Sequence, residues 1–69
     1  MTYREFTRKL RRLSCQFDRQ GSGSHEIWMN TENRARASIP NWGGQDLKIG
    51  TMRGILRDLG ISRDDFERA

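Results

Sequence analysis

Residues 15–30 read CQFDRQGSGSHEIWMN, and this stretch decides the fold. From Cys15 to Gln20 the side chains alternate. Cys15, Phe17 and Arg19 take one side and Gln16, Asp18 and Gln20 the other, which is a strand period. Gly21-Ser22-Gly23 makes a turn, because glycine adopts positive φ without steric cost. Ser24–Asn30 returns as a second strand, with His25, Ile27 and Met29 on one face and Glu26, Trp28 and Asn30 on the other. Two alternating runs joined by a short Gly/Ser turn form a β-hairpin. On this alternation Trp28 faces away from the core side. There it stacks on a base, fills a pocket of a protein partner or covers the open face of the sheet.

The flanks extend the pattern. Thr31-Glu32-Asn33 makes a second turn, and Arg34–Ile39 a third strand with Ala35, Ala37 and Ile39 inward and Arg34, Arg36 and Ser38 outward. Pro40 ends it, having no N–H for a ladder. Before the hairpin, Tyr3, Phe6, Leu10 and Leu13 form one apolar stripe at helical spacing. Thr2 and Glu5 supply a capping box for that helix. After the third strand, Asn41–Asp46 is a loop containing Gly43-Gly44. A second helix starts near Gly50-Thr51 and buries Met52, Ile55, Leu56 and Leu59. Gly60 stands where a C′ glycine stops a helix, with Ile61 as its apolar partner. Ser62 and Asp65 cap a final turn that docks Phe66. The expected architecture is α+β, in the order α-β-β-β-α, with a three-stranded antiparallel sheet and helices packed on one face.

The composition sets limits. The 69 residues are expected to form one domain, 1–69, which buries only about 60% of its unfolded surface. Hydrophobic residues make up 33% and charged residues 32%, and 13 Lys and Arg against nine acids leave a net charge of +4. One Cys, Cys15, excludes a disulfide scaffold and a Cys-rich zinc site. No apolar run approaches the ~20 residues of a membrane span and no signal peptide opens the chain, so a cytoplasmic location is expected. A barrel enzyme of about 250 residues cannot fit. The basic surplus points to an anionic partner, most simply nucleic acid. It is concentrated: Arg4, Arg8, Lys9, Arg11 and Arg12 stand against Glu5 alone in residues 1–13, a surplus of four that equals the net charge of the chain. Arg4, Arg8, Arg11 and Arg12 lie off the apolar stripe. They make either a solubilising face or a phosphate-facing one.

Few residues can carry chemistry. His25 is the only histidine. An imidazole titrates near neutral pH, so a positioned one moves protons in either direction. RNA carries its own nucleophile, the 2′-OH, and one His with a few cations and backbone N–H donors suffices to cleave it. The alternative is a structural histidine. Ser22, Gly23 and Ser24 either hold a phosphate through backbone amides or form an ordinary turn. Lys48 and Thr51, at the start of the second helix, either attract an anion or simply cap it. Trp42 either plugs the sheet edge or touches a ligand. The acids lack metal-ligand spacing, so neither metal nor cofactor is expected.

Arg19-Gln20, the glycine turn, and Ser24-His25-Glu26-Ile27-Trp28 resemble the segment around the active-site His of HicA toxins, the YcfA-like mRNA interferases. Ile39-Pro40, Gly43-Gly44, Asp46-Leu47-Lys48, Gly50-Thr51-Met52-Arg53, Ile55-Leu56-Arg57 and Leu59-Gly60-Ile61-Ser62 continue the pattern in the same order, over nearly the whole chain. The resemblance implies a fold like that of double-stranded-RNA-binding domains. It also implies an RNA-cleaving toxin held inactive by a HicB-type antitoxin, with the catalytic His at His25, the motif glycine at Gly23, and the Gly-Thr at Gly50 and Thr51. Two features depart from the family pattern: the turn before Ser24 is one residue longer, and Trp42 stands where many members carry a second His. The leading expectation is therefore a metal-independent endoribonuclease acting on mRNA. RNA would lie over Arg4, Arg8, Arg11, Arg12, Ser22, Gly23, Ser24, Lys48 and Thr51, and Trp28 and Trp42 would meet the protein partner. The competing readings are a non-catalytic double-stranded-RNA-binding module and a purely protein-binding module.

Overall fold

Three antiparallel strands, neighbours in chain order, carry helices on one face. The structure, a computed structural model, describes all residues 1–69. Its elements are α1 (Tyr3–Arg12), β1 (Cys15–Gln20), β2 (His25–Asn30), β3 (Arg36–Pro40), α2 (Ile49–Leu59) and α3 (Arg63–Arg68). The α+β order expected from the sequence is the one observed.

Local chemistry explains the helix ends. In α1 the Thr2 N–H donates to Glu5 Oε1 at 2.9 Å and the Glu5 N–H to Thr2 Oγ1 at 3.3 Å, a complete capping box. The Thr2 N–H and the Thr2 hydroxyl, both donating to Oε1, hold the Glu5 carboxyl below the usual range. Helix α2 begins at Ile49, one residue before the expected Gly50, and Lys48 caps it without a side-chain bond. It ends on Gly60 at φ 72°, with the N–H of Ile61 reaching Leu56 O and that of Gly60 reaching Arg57 O. This is the Schellman geometry that the glycine predicts. Ser62 caps α3, which buries Phe66 against Phe6.

The core contains Phe6, Leu10, Cys15, Trp28, Ala37, Ile39, Leu47, Ile55, Leu56, Leu59 and Phe66. Met52, expected among them, packs on the cluster from its margin. The faces of β2 are the reverse of the expected ones. Trp28 is 0% exposed and Asn30 is buried, whereas Ile27 and Met29 are half-buried on the uncovered side. Trp28 therefore cannot anchor a partner protein. A Trp ring has more apolar surface to remove from water than Ile or Met, and this small core takes the larger ring. Asn30 can follow it inside because Nδ2 donates to Leu59 O at 3.0 Å and Oδ1 accepts the Glu32 N–H at 2.9 Å.

Strand β1 departs from simple alternation. Phe17 pairs with Trp28 and Arg19 with Ile27, so Asp18 is the extra residue of a β-bulge. The bulge moves Arg19 off the face of Phe17 and Cys15, where alternation had placed it. Asp18 then bridges Arg19 at 2.8 Å and Arg36 of β3 at 3.1 Å. Strand β3 starts two residues later than expected, because Arg34 turns at φ 64° to close the loop on Asn30. Pro40 is the last residue of the strand rather than its stop, and it pairs with His25.

Candidate functional site

His25 opens β2, immediately after the turn that its own backbone closes. The Gly21 N–H donates to His25 O and the His25 N–H to Ser22 O, each at 2.9 Å. Gln20 Nε2 braces the turn by donating to Gly23 O at 3.1 Å and to His25 O at 2.9 Å. Gly23 supplies the positive φ, 57°, and Gly21 is needed for space, since a Cβ there would meet His25 O at 3.1 Å. The result is an exposed imidazole on a rigidly held backbone. Strand alternation sets it with Ile27 and Met29 on the uncovered face of the sheet.

The amides of Ser22, Gly23 and Ser24, the three residues that precede His25, donate to no group of the chain. Successive free N–H groups in a turn make a concavity suited to an anion. Of the expected RNA-contacting residues, Ser22, Gly23 and Ser24 thus adjoin His25, and all three are exposed.

The helical cations are only partly assembled with them. The Asn41 N–H donates to Ser24 O, Leu47 N–H to Met1 O, and Thr2 bridges to Asp46. The start of α1, the 41–46 loop and the start of α2 therefore share the His25 end of the sheet. Arg4 lies there, exposed, and so do exposed Lys48 and half-buried Thr51. Arg12 lies about 12 Å further along α1, at 1.5 Å per residue. That end adjoins Ser14, whose carbonyl accepts the Thr31 N–H at the far end of β2. Arg8 falls between the two ends. Arg11 is engaged elsewhere, its guanidinium 5.0 Å from the centroid of the Trp28 ring. The expected single arginine surface therefore divides into a near end, Arg4, and a far end, Arg11 and Arg12.

Sequence reasoning missed a polar node behind His25. Glu26 points to the helix side, where Oε1 accepts from the Tyr3 hydroxyl and, at 3.2 Å, from Trp28 Nε1. Asn41 Nδ2 donates to Oε2 at 3.3 Å. Burial pushes the Glu26 carboxyl up, but these three bonds and the Arg11 charge outweigh it and hold it below the usual carboxylate range. Burial raises Tyr3 first, and Glu26 adds to it, taking the phenol up to about 12. The available signal was a carboxylate on the same strand face as Trp28, since a carboxylate on a packed face needs donors. Trp42 is 39% exposed in the loop beside this node. Cys15 is buried, and burial, with the Glu32 charge, raises its thiol to about 11, away from the reactive thiolate. No three His, Cys, Asp or Glu side chains cluster in an arrangement suited to a metal ion. No helix is long and apolar enough to cross a membrane.

A family model described as the HicA toxin of bacterial toxin–antitoxin systems matches residues 3–61. Neither a curated protein nor a solved structure gives a significant match.

Proposed function

The chain belongs to the HicA toxin family of bacterial toxin–antitoxin systems, and from that premise we propose that it is an endoribonuclease that cuts mRNA with His25 as its general acid and base. The observation that carries this reading is the exposed His25 imidazole beside three undonated backbone amides. The substrate phosphate sits on the amides of Ser22, Gly23 and Ser24, with the adjoining ribose over the imidazole. His25 takes the proton of the 2′-hydroxyl as that oxygen attacks phosphorus. The bond to the 5′-oxygen breaks, and the protonated imidazole, or a water in contact with it, returns the proton to the leaving oxygen. The free amides and Lys48 stabilise the negative charge that grows on the phosphoryl oxygens. The nucleophile comes from the substrate, so this chemistry needs no metal and no cofactor.

A HicB-type antitoxin neutralises the toxin by covering His25 and the cations of the same end. The exposed Trp42 supports a protein contact there. Purified protein incubated with labelled RNA in EDTA tests the nuclease reading. His25→Ala should lower the cleavage rate about 10²–10⁴-fold with RNA affinity retained. An unchanged rate in that variant removes His25 from the chemistry. Salt-sensitive RNA binding without cleavage by the wild type would instead favour a non-catalytic binding module.

A further inference from the structure

Tyr3 and Asn41 line a cleft of about 440 Å³, completed by Thr2, Arg4, Gly43 and Gly44. Both side chains are tied to one carboxylate, because Tyr3 and Asn41 each donate to Glu26. The Asn41 N–H also donates to Ser24 O, and the preceding Pro40 pairs with His25. The cleft is thus braced by Glu26 and opens at the His25 end of the sheet. Its volume lies within the range of small-ligand pockets, about 300–1,000 Å³.

The lining suits a flat, uncharged group with hydrogen-bonding edges. Gly43 and Gly44 give the loop wall bare backbone, and a Cβ at either would meet nothing within 4 Å. The Gly44 amide is not donated within the chain. Asn41 carries polar atoms into the wall, Tyr3 offers a ring, and Trp42 is exposed in the same loop. Arg4 is the one charged residue of the lining and forms no ion pair, which leaves it free for a phosphate at the rim.

We propose that this cleft binds one unpaired nucleobase of single-stranded RNA, next to the phosphate attacked at His25, and so decides which nucleotide flanks the cut. The position of the cut rests on the nuclease reading above. The base must be unpaired, because pairing occupies its hydrogen-bonding edge and stacking hides its face.

Gly44→Leu tests the proposal. The backbone at Gly44 does not have positive φ, and its added side chain starts in open space, so the variant keeps the fold. In a His25→Ala background, where cutting is slow against the titration, labelled single-stranded RNA octamers of differing base composition and one fully paired duplex are titrated by anisotropy. Gly44→Leu should weaken the preferred octamer about 5–150-fold, the range expected when one base loses its stacking site, and leave the duplex unchanged. Trp42→Ala should weaken the same octamer. With His25 intact, mapping of the cut sites should show a flanking-nucleotide preference that Gly44→Leu abolishes. Unaltered octamer affinity and cut-site preference in Gly44→Leu would overturn the proposal. Octamer binding sensitive to Gly44→Leu in a wild type that cuts nothing would uphold the base site and remove the nuclease reading. Cleavage by the wild type with no flanking preference would do the opposite.

Discussion

Replacing Glu26 by Gln keeps the size of the side chain and removes its charge. In the wild type the carboxylate accepts from the Tyr3 hydroxyl, from Trp28 Nε1 at 3.2 Å and from Asn41 Nδ2 at 3.3 Å. A carboxamide offers one acceptor oxygen and two N–H donors. Its oxygen can keep Tyr3 and Trp28, now as neutral bonds, but its nitrogen then faces the Asn41 nitrogen. Asn41 cannot turn over freely, because its Oδ1 accepts the Gly43 N–H at 3.2 Å. Bonds to a charged group are worth about 1.5–3 kcal/mol and neutral ones about 0.5–1.5, so each retained bond loses about 1 kcal/mol and the third is lost. Water reaches this half-buried group and reduces the total to about 2 kcal/mol. In a chain of 69 residues that lowers Tm by about 8–16 °C. Urea unfolding followed by circular dichroism at several pH values adds a second signature. The Glu26 carboxyl titrates lower in the folded state than in the unfolded one. Its contribution is therefore complete above the unfolded value, about 4.3, and is lost as pH falls through the folded value. Gln does not titrate. The gap between wild type and variant should be full at pH 7 and narrow as pH drops below about 4. A gap under about 0.5 kcal/mol at pH 7, or one that stays the same at pH 3, would refute the claim that Glu26 braces Tyr3, Trp28 and Asn41.

Three further substitutions separate structural from RNA-facing roles. Gly60→Ala forces a Cβ onto a residue at φ 72° and to 2.7 Å from Asn33 Nδ2, which itself donates to Leu59 O. Left-handed Ala costs about 1–2 kcal/mol, and the displaced amide adds to it, so Tm should fall by about 10 °C or more in a thermal melt. Arg4→Gln should weaken single-stranded RNA binding and reduce the slope of log affinity against log salt by about 0.7. Arg11→Gln should instead leave that slope nearly unchanged and lower Tm by a few degrees, since a cation over a Trp face is worth about 0.5–1 kcal/mol.

The parts of the fold that were legible in the sequence are those governed by local rules. The Thr2/Glu5 box, the Gly60 stop and the Ser62 cap each use side chains or φ angles within a few residues, and each stands where expected. The facing of β2 was not legible. Alternation gives two faces but does not say which is buried, and the polar residues Glu26 and Asn30 argued against the face that is. Beyond the near neighbours Trp28 and Glu32, their partners are Tyr3, Asn41 and Leu59, at least 15 residues away in sequence. A pattern confined to one strand carries no information about such partners. The bulge at Asp18 was hidden for the same reason, because its register is set by Ile27 and Trp28 on the neighbouring strand. The position of His25 was legible in a different way: it is the one imidazole, and it enters the strand directly after a glycine turn.

The facing of β2 also changes what the basic helix can mean. Were Ile27 inside, His25 would share its side with the helices, and the arginines of α1 would flank it directly. With Trp28 inside, His25 lies on the uncovered face and α1 on the other layer. A polyanion can contact both only by passing around the end of the sheet, over the 21–24 turn, the 41–44 loop and Arg4. That path crosses the cleft lined by Tyr3 and Asn41. Arg11 and Arg12 lie off it, and the Arg11 charge is already used, over the Trp28 ring and towards Glu26. Part of the charge surplus in residues 1–13 therefore faces the Trp28–Glu26 node, and only part of it is free to meet a polyanion at the His25 end.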